Sequence, residues 1–137
     1  MAEELKIEAK VENLDRVRDF VNALLEERGC GGRELMSIDL ALEELFVNIA
    51  SYAYAPDTGM AVIRVSFPEE KTVSITLTDT GREYNPLTKE DPDITLPASE
   101  RAIGGLGVYI VKKSMDDVTY EYKDSENRLT FVKRFGT

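Results

Sequence analysis

Apolar positions along this chain recur with two periods, and the switches between them mark out the elements. In residues 4–11, ELKIEAKV, the residues Leu5, Ile7, Ala9 and Val11 alternate with charged or polar neighbours, as in a strand buried on one face. From Leu14 the period lengthens. Leu14, Val17, Phe20, Val21, Leu24 and Leu25 share one side of a helix that Asn13 is placed to cap and that runs to about Arg28. The glycines between Gly29 and Gly32 end it. A second helix over 33–54 carries the stripe Ile38, Leu42, Leu45, Phe46, Ile49 and Ala53. After the turn PDTG, Ala61, Ile63, Val65 and Phe67 alternate in a strand over 60–67. Val73, Ile75 and Leu77 do the same in a strand over 72–78, with PEEK as the tight link between the two. Residues 80–103 hold Pro86, Pro92 and Pro97 and show no period, so they read as a long loop of the kind that is usually functional. A third helix over 105–115 and strands over 117–123 and 128–135, joined by DSEN, complete the chain.

The order strand, two helices, two strands, loop, helix, two strands predicts a single α/β domain over residues 1–137. It is a two-layer sandwich with a mixed, mostly antiparallel sheet and helices on one face. The 137-residue length suits one domain rather than two. No apolar run approaches the roughly 20 residues of a membrane span, and the amino-terminal MAEELKIEAK is charged from residue 3, unlike a signal peptide. With one cysteine and no disulfide framework, a cytoplasmic protein is expected. A net charge of −9, with lysines and arginines scattered, excludes the basic face that a nucleic-acid partner requires. The chain has no histidine. That removes Ser-His-Asp and Cys-His nucleophile systems and, with Cys30 as the lone thiol, most zinc sites.

Three stretches carry candidate chemistry. In LEELFVNIASYAY, residues 42–54, Glu44 and Asn48 lie one helical turn apart, about 40° around the axis, at the edge of the apolar stripe. An amide oxygen there suits a hard cation such as Mg²⁺, and the carboxylate can hold a water or take a proton from a hydroxyl. On their own the two residues fit better as a solvated acid and an amide satisfied by backbone, since Glu and Asn four apart are common. In TDTGREYNP, residues 78–86, a strand of alternating threonines ends at Asp79, and Gly81 follows. Such an acid can accept a hydrogen bond from an exocyclic amine, and glycine lets a flat ring approach the backbone; a plain Asp-x-Gly turn is the simpler alternative. In IGGLGVYIVKK, residues 103–113, Gly104, Gly105 and Gly107 open an apolar helical run. Unobstructed N–H groups at a helix start form an anion site, whereas a flexible hinge would place three glycines where each costs about 1 kcal/mol of helix propensity. The motif is neither a Walker loop nor a dinucleotide fingerprint.

Taken in order, Glu-x-x-x-Asn on a helix, Asp-x-Gly at a strand end, a long loop and Gly-Gly-x-Gly opening a helix resemble the Bergerat-fold (GHKL) ATPases, the superfamily of gyrase and the sensor histidine kinases. Within it, LALEELFVNIASYAY, DTGREYNP and GGLGVYIVKKSMDDVTYEYKDSENRLTFVK look like the branch of anti-sigma-factor serine kinases, and the resemblance covers nearly the whole chain. It implies ATP and Mg²⁺. Asn48 would hold the metal, and Glu44 would act as general base. Asp79 would read adenine with Gly81 beside the ring. Gly104, Gly105, Leu106 and Gly107 would wrap the phosphates, and Thr130 would support adenine through water. Residues 82–103 would form a lid from which Arg101 reaches the γ-phosphate. The implied activity is an ATP-dependent serine/threonine kinase that holds a sigma factor or similar client and phosphorylates an antagonist protein. The alternative is a switch module that binds nucleotide and partner without transferring phosphate; an interaction domain without ATP and a detached histidine-kinase catalytic domain fit less well. The resemblance also implies a homodimer through the exposed sheet, with Leu5 to Val11 at its edge. Two departures stand out: Tyr52 occupies a position where the branch has His, and Arg82-Glu83-Tyr84-Asn85-Pro86 replaces the usual continuation of the Asp-x-Gly box.

Overall fold

Alternation along each strand sorts its side chains onto two faces, and the computed structural model seats the apolar face beneath the helices. The structure describes residues 2–88 and 106–136. Strands β1 (Glu3–Glu8), β2 (Met60–Glu69), β3 (Thr72–Asp79), β4 (Asp117–Lys123) and β5 (Glu126–Arg134) form one sheet in the order β1-β2-β3-β5-β4, with β1 at an edge. All four pairings are antiparallel. Helices α1 (Leu14–Glu27), α2 (Gly32–Asn48) and α3 (Leu106–Ser114) supply the other layer. Ile7, Ala61, Ile63, Val65, Ile75, Leu77 and Phe131 from the sheet meet Val17, Val21, Leu25, Ile38, Leu42 and Phe46 from α1 and α2, all buried. Each large aliphatic or aromatic side chain so buried contributes about 1.5–3 kcal/mol relative to exposure. The opposite sheet face carries Ser74, Thr76, Thr78, Arg128 and Thr130, the other half of the same alternation.

Four boundaries differ from the sequence pattern for identifiable reasons. Residue Asn13 does stand at the start of α1, but its side chain makes no cap; its amide donates 2.9 Å back to the Glu8 carbonyl. β1 therefore ends at Glu8 and a 3-10 turn over Val11–Asn13 leads into the helix. β2 runs through Pro68, which is tolerated because the register slips between Ser66 and Glu69. The second helix is α-helical only to Asn48 and continues as a π-helical turn over Ile49–Ala53. The link between β4 and β5 is shorter than DSEN: Asp124 and Ser125 take positive φ values of 54° and 64°, the geometry of a two-residue hairpin turn, so Glu126 and Asn127 belong to β5.

Candidate functional site

A cavity of about 320 Å³ opens between the end of α2 and the ends of β3 and β5. It is lined by Leu45, Asn48, Ile49, Tyr52 and Ala53 from the helical side, by Leu77, Asp79, Tyr120, Asn127 and Leu129 from the sheet, and by Arg82, Tyr84 and Pro86 from the segment after β3. The walls are mostly apolar, with a few polar groups converging on one end, the usual make-up of a small-molecule site.

The π-helical turn shapes this site. π-turns concentrate at functional sites because they re-aim side chains and leave backbone groups outside the regular ladder. Here Arg82 bonds to two carbonyls at and just beyond the end of the turn. The Ala53 carbonyl accepts the Arg82 N–H at 3.0 Å, and the Ala55 carbonyl accepts the Arg82 guanidinium at 2.6 Å. The Tyr54 hydroxyl accepts the Thr80 N–H at 2.8 Å and donates to the Met60 carbonyl at 2.6 Å. Gly81 lies so close to this turn that a Cβ there would overlap the Ala53 carbonyl. The close approach that Gly81 permits is therefore to Ala53, and Gly81 is not among the residues lining the cavity. Replacing Gly81 by alanine is expected to cost about 1–3 kcal/mol, the usual penalty of forcing an extra carbon into a filled space, read as a lower urea midpoint without a change in slope.

Asp79 is buried, with 6% of its surface exposed. Its Oδ1 accepts the Gly81 N–H at 2.9 Å and Asn127 Nδ2–H at 3.0 Å, while Oδ2 takes no hydrogen bond among the described residues. Burial pushes the Asp79 carboxyl up from its ordinary value, partly opposed by those two donors. Tyr120 donates to Asn127 Oδ1 at 2.5 Å, and burial raises its phenol as well, which keeps it a donor.

Asn48, the last α-helical residue of α2, lines the cavity, and its side chain makes no hydrogen bond among the described residues. Glu44 sits one turn earlier, outside the lining, and its carboxylate lies against the start of α3: a Cβ on Gly107 would overlap it. Structure thus brings Asn48 and Asp79 together, and separately brings Glu44 and Gly107 together. Leu106 begins α3. Gly104, Gly105, Arg101 and the lid beyond Thr88 lie outside the described residues. Thr130 does not reach the cavity: it alternates with Leu129 and Phe131, so its hydroxyl faces the other side of the sheet, 2.8 Å from the Thr76 hydroxyl. The polar β5 residue that faces Asp79 is Asn127, directly opposite it in register. Tyr52 lines the cavity and is 62% exposed.

Residues 7–133 match the model of the histidine kinase-like ATPase domain. The chain is 29% identical over 119 residues to the serine-protein kinases RsbW of Bacillus mycoides (strain KBAB4) and Bacillus cereus (strain AH187), an alignment covering 84% of this chain and 74% of each relative. A crystal structure of the RsbU and RsbW domains of a Mycobacterium tuberculosis protein superposes with a TM-score of 0.66 at 16% identity; the match covers 97% of this chain and 32% of the other, and it attests the shared fold. Among the described residues, no helix is long and apolar enough to cross a membrane.

Proposed function

The chain belongs to the histidine kinase-like ATPase family, and we propose that it is a cytoplasmic ATP-dependent protein serine/threonine kinase of anti-sigma type. It would hold a sigma factor or similar client and phosphorylate a serine on an antagonist protein. The observation that carries this reading is Asp79 in its cavity. One carboxylate oxygen is saturated by Gly81 and Asn127, and the other takes no hydrogen bond among the described residues, in a largely apolar slot. A flat base with an exocyclic amine matches that arrangement: the ring fills the slot and the amine donates to Oδ2.

Among the described residues no cluster of three acidic or thiol ligands could hold a metal alone. The Asn48 amide at the cavity wall, without a hydrogen bond among the described residues, fits an ion completed by phosphate oxygens and water, as Mg²⁺ prefers. Bound there, Mg²⁺ would neutralise phosphate charge. Phosphoryl transfer needs mainly positioning and charge neutralisation, so a site without histidine suffices. Glu44 would take the proton of the attacking serine hydroxyl. A second reading, a nucleotide-dependent switch that binds partners without transferring phosphate, draws on one observation: Glu44 stands outside the cavity lining.

Calorimetric titration with ATP and ADP, with and without Mg²⁺, tests the reading; Mg²⁺-dependent binding is the expected result, and no binding in either condition would overturn it. Asp79→Asn is expected to weaken ATP binding by about 1–3 kcal/mol, the cost of a mismatched buried hydrogen bond. The same variant should melt no lower than wild type without ligand. Because folding raises the Asp79 carboxyl, its ionised form opposes folding. That opposition is absent below the unfolded carboxyl value, grows as pH rises through it, and is complete above the folded value. At neutral pH the asparagine removes it. A large loss of melting temperature together with unchanged ATP affinity would reverse the assignment.

A further inference from the structure

Within that reading, on which this inference rests, one buried residue remains unexplained. Asn127 is 6% exposed and uses both ends of its amide. Its Oδ1 accepts the Tyr84 N–H at 3.1 Å and the Tyr120 hydroxyl at 2.5 Å. Its Nδ2 donates to Asp79 Oδ1 at 3.0 Å and to the Arg82 carbonyl at 2.8 Å, with the Gly81 carbonyl at 3.4 Å. The orientation is not reversible. A backbone N–H can only donate, so the oxygen must face Tyr84; a carbonyl can only accept, so the nitrogen must face Arg82. Asn127 therefore always presents N–H to Asp79.

We propose that Asn127 is the positioning residue of base recognition: it occupies Asp79 Oδ1, leaves Oδ2 as the open acceptor, and so selects a purine carrying a 6-amino group over one carrying a 6-carbonyl. The register supports this. Asn127 stands directly across from Asp79 on the same face of the sheet, where opposed Cβ atoms are about 5 Å apart. The tight Asp124-Ser125 turn brings Tyr120 of the neighbouring strand within reach of the same amide. A carbonyl base in this slot would set its oxygen against an ionised carboxylate with no proton between them. Asn127 itself need not touch the base: it acts through Asp79, and through Arg82 and Tyr84 it also fixes the backbone that leaves β3.

The test compares ATP and inosine triphosphate binding by calorimetry in wild type, Asn127→Leu and Asn127→Asp, each checked for folding by thermal melting. Wild type should prefer ATP. In Asn127→Leu, ATP affinity should fall about 10–100-fold, as for an unmatched buried partner, while inosine triphosphate changes far less, so the preference shrinks. Asn127→Asp gives a readout that a merely structural role would not move. It sets two carboxylates side by side, which share one proton as pH falls. The shared proton restores a donor to Asp79 Oδ1. ATP binding by this variant should therefore strengthen as pH drops from roughly 8 towards 6. Wild type should weaken, if it moves at all, because Asp79 itself takes up a proton. Arg82, Glu83, Tyr52, Tyr84, Tyr120 and Tyr122 surround the pair in both proteins, so the difference between the two profiles isolates it. A folded Asn127→Leu with wild-type affinities for both nucleotides, or an Asn127→Asp profile parallel to wild type, would overturn the assignment. If wild type binds no ATP, the parent reading fails and this one falls with it; if wild type binds ATP and the variants match it, only the role of Asn127 is lost.

Discussion

Replacing Glu44 by glutamine is expected to lower phosphoryl transfer by about two to four orders of magnitude, the range for loss of a positioned general base, while ATP affinity stays within about twofold. The split follows from where Glu44 stands. It lies one turn before Asn48 on α2 and outside the cavity lining, so it makes no contact with the proposed base slot. Its carboxylate rests against Gly107 at the start of α3, the end of a helix that favours negative charge. That contact gives a rival account in which Glu44 merely anchors α3. Anchoring would show as a lower melting temperature and weaker nucleotide binding with the transfer rate per bound ATP preserved. A base would show the reverse. The measurement is single-turnover transfer from labelled ATP to a serine-containing antagonist, with ATP affinity determined on the same preparation. Full transfer in the glutamine variant would remove Glu44 as the base and favour the non-catalytic switch.

The layer arrangement was legible in the chain because both periods are strong. Alternation at Ile63, Val65, Ile75 and Leu77 and the helical stripe at Ile38, Leu42, Leu45 and Phe46 each coincide with buried positions. The site was legible in part. Asn48 and Asp79 were reachable as cavity residues because each sits at the end of a strongly periodic element. Asn127 was not. It fell in the stretch DSEN, which reads as a linker, and only the left-handed Asp124 and Ser125 show that the hairpin turns in two residues. The shorter turn brings Asn127 into β5, opposite Asp79 and on the same face as Leu129, while Thr130 between Leu129 and Phe131 alternates to the outer face. The π-turn was equally hidden. A π-turn and an α-helix carry the same apolar stripe over a few residues, so Ile49 and Ala53 extended the apparent helix through a segment whose hydrogen bonds go elsewhere. Nor did the glycine in TDTG reveal what it approaches, since a glycine beside a ring and a glycine beside a carbonyl are the same letter.

Phe46→Ala is expected to destabilise the chain by about 3–5 kcal/mol, the usual cost of emptying a buried aromatic site, against a total stability that for most domains is only about 5–15 kcal/mol. Phe46 has no exposed surface and is among the largest fully buried side chains. It lies on the same helix as Glu44 and Asn48, between Leu45, which lines the cavity, and the end of the α-helical run. The void would therefore open directly under the segment that supports the site. Chemical denaturation should show a lower midpoint with an unchanged slope. Nucleotide supplies the second half of the test. A ligand that binds only the folded chain adds about 2.7 kcal/mol when present at a hundred times its dissociation constant. If Phe46 serves packing alone, ATP at a hundred times the wild-type dissociation constant should add the same increment to the variant as to wild type. A smaller increment at that same concentration would mean that the folded variant binds ATP more weakly. Loosening beneath α2 would then have reached the Asn48 end of the helix, making the core under α2 part of the binding site's support.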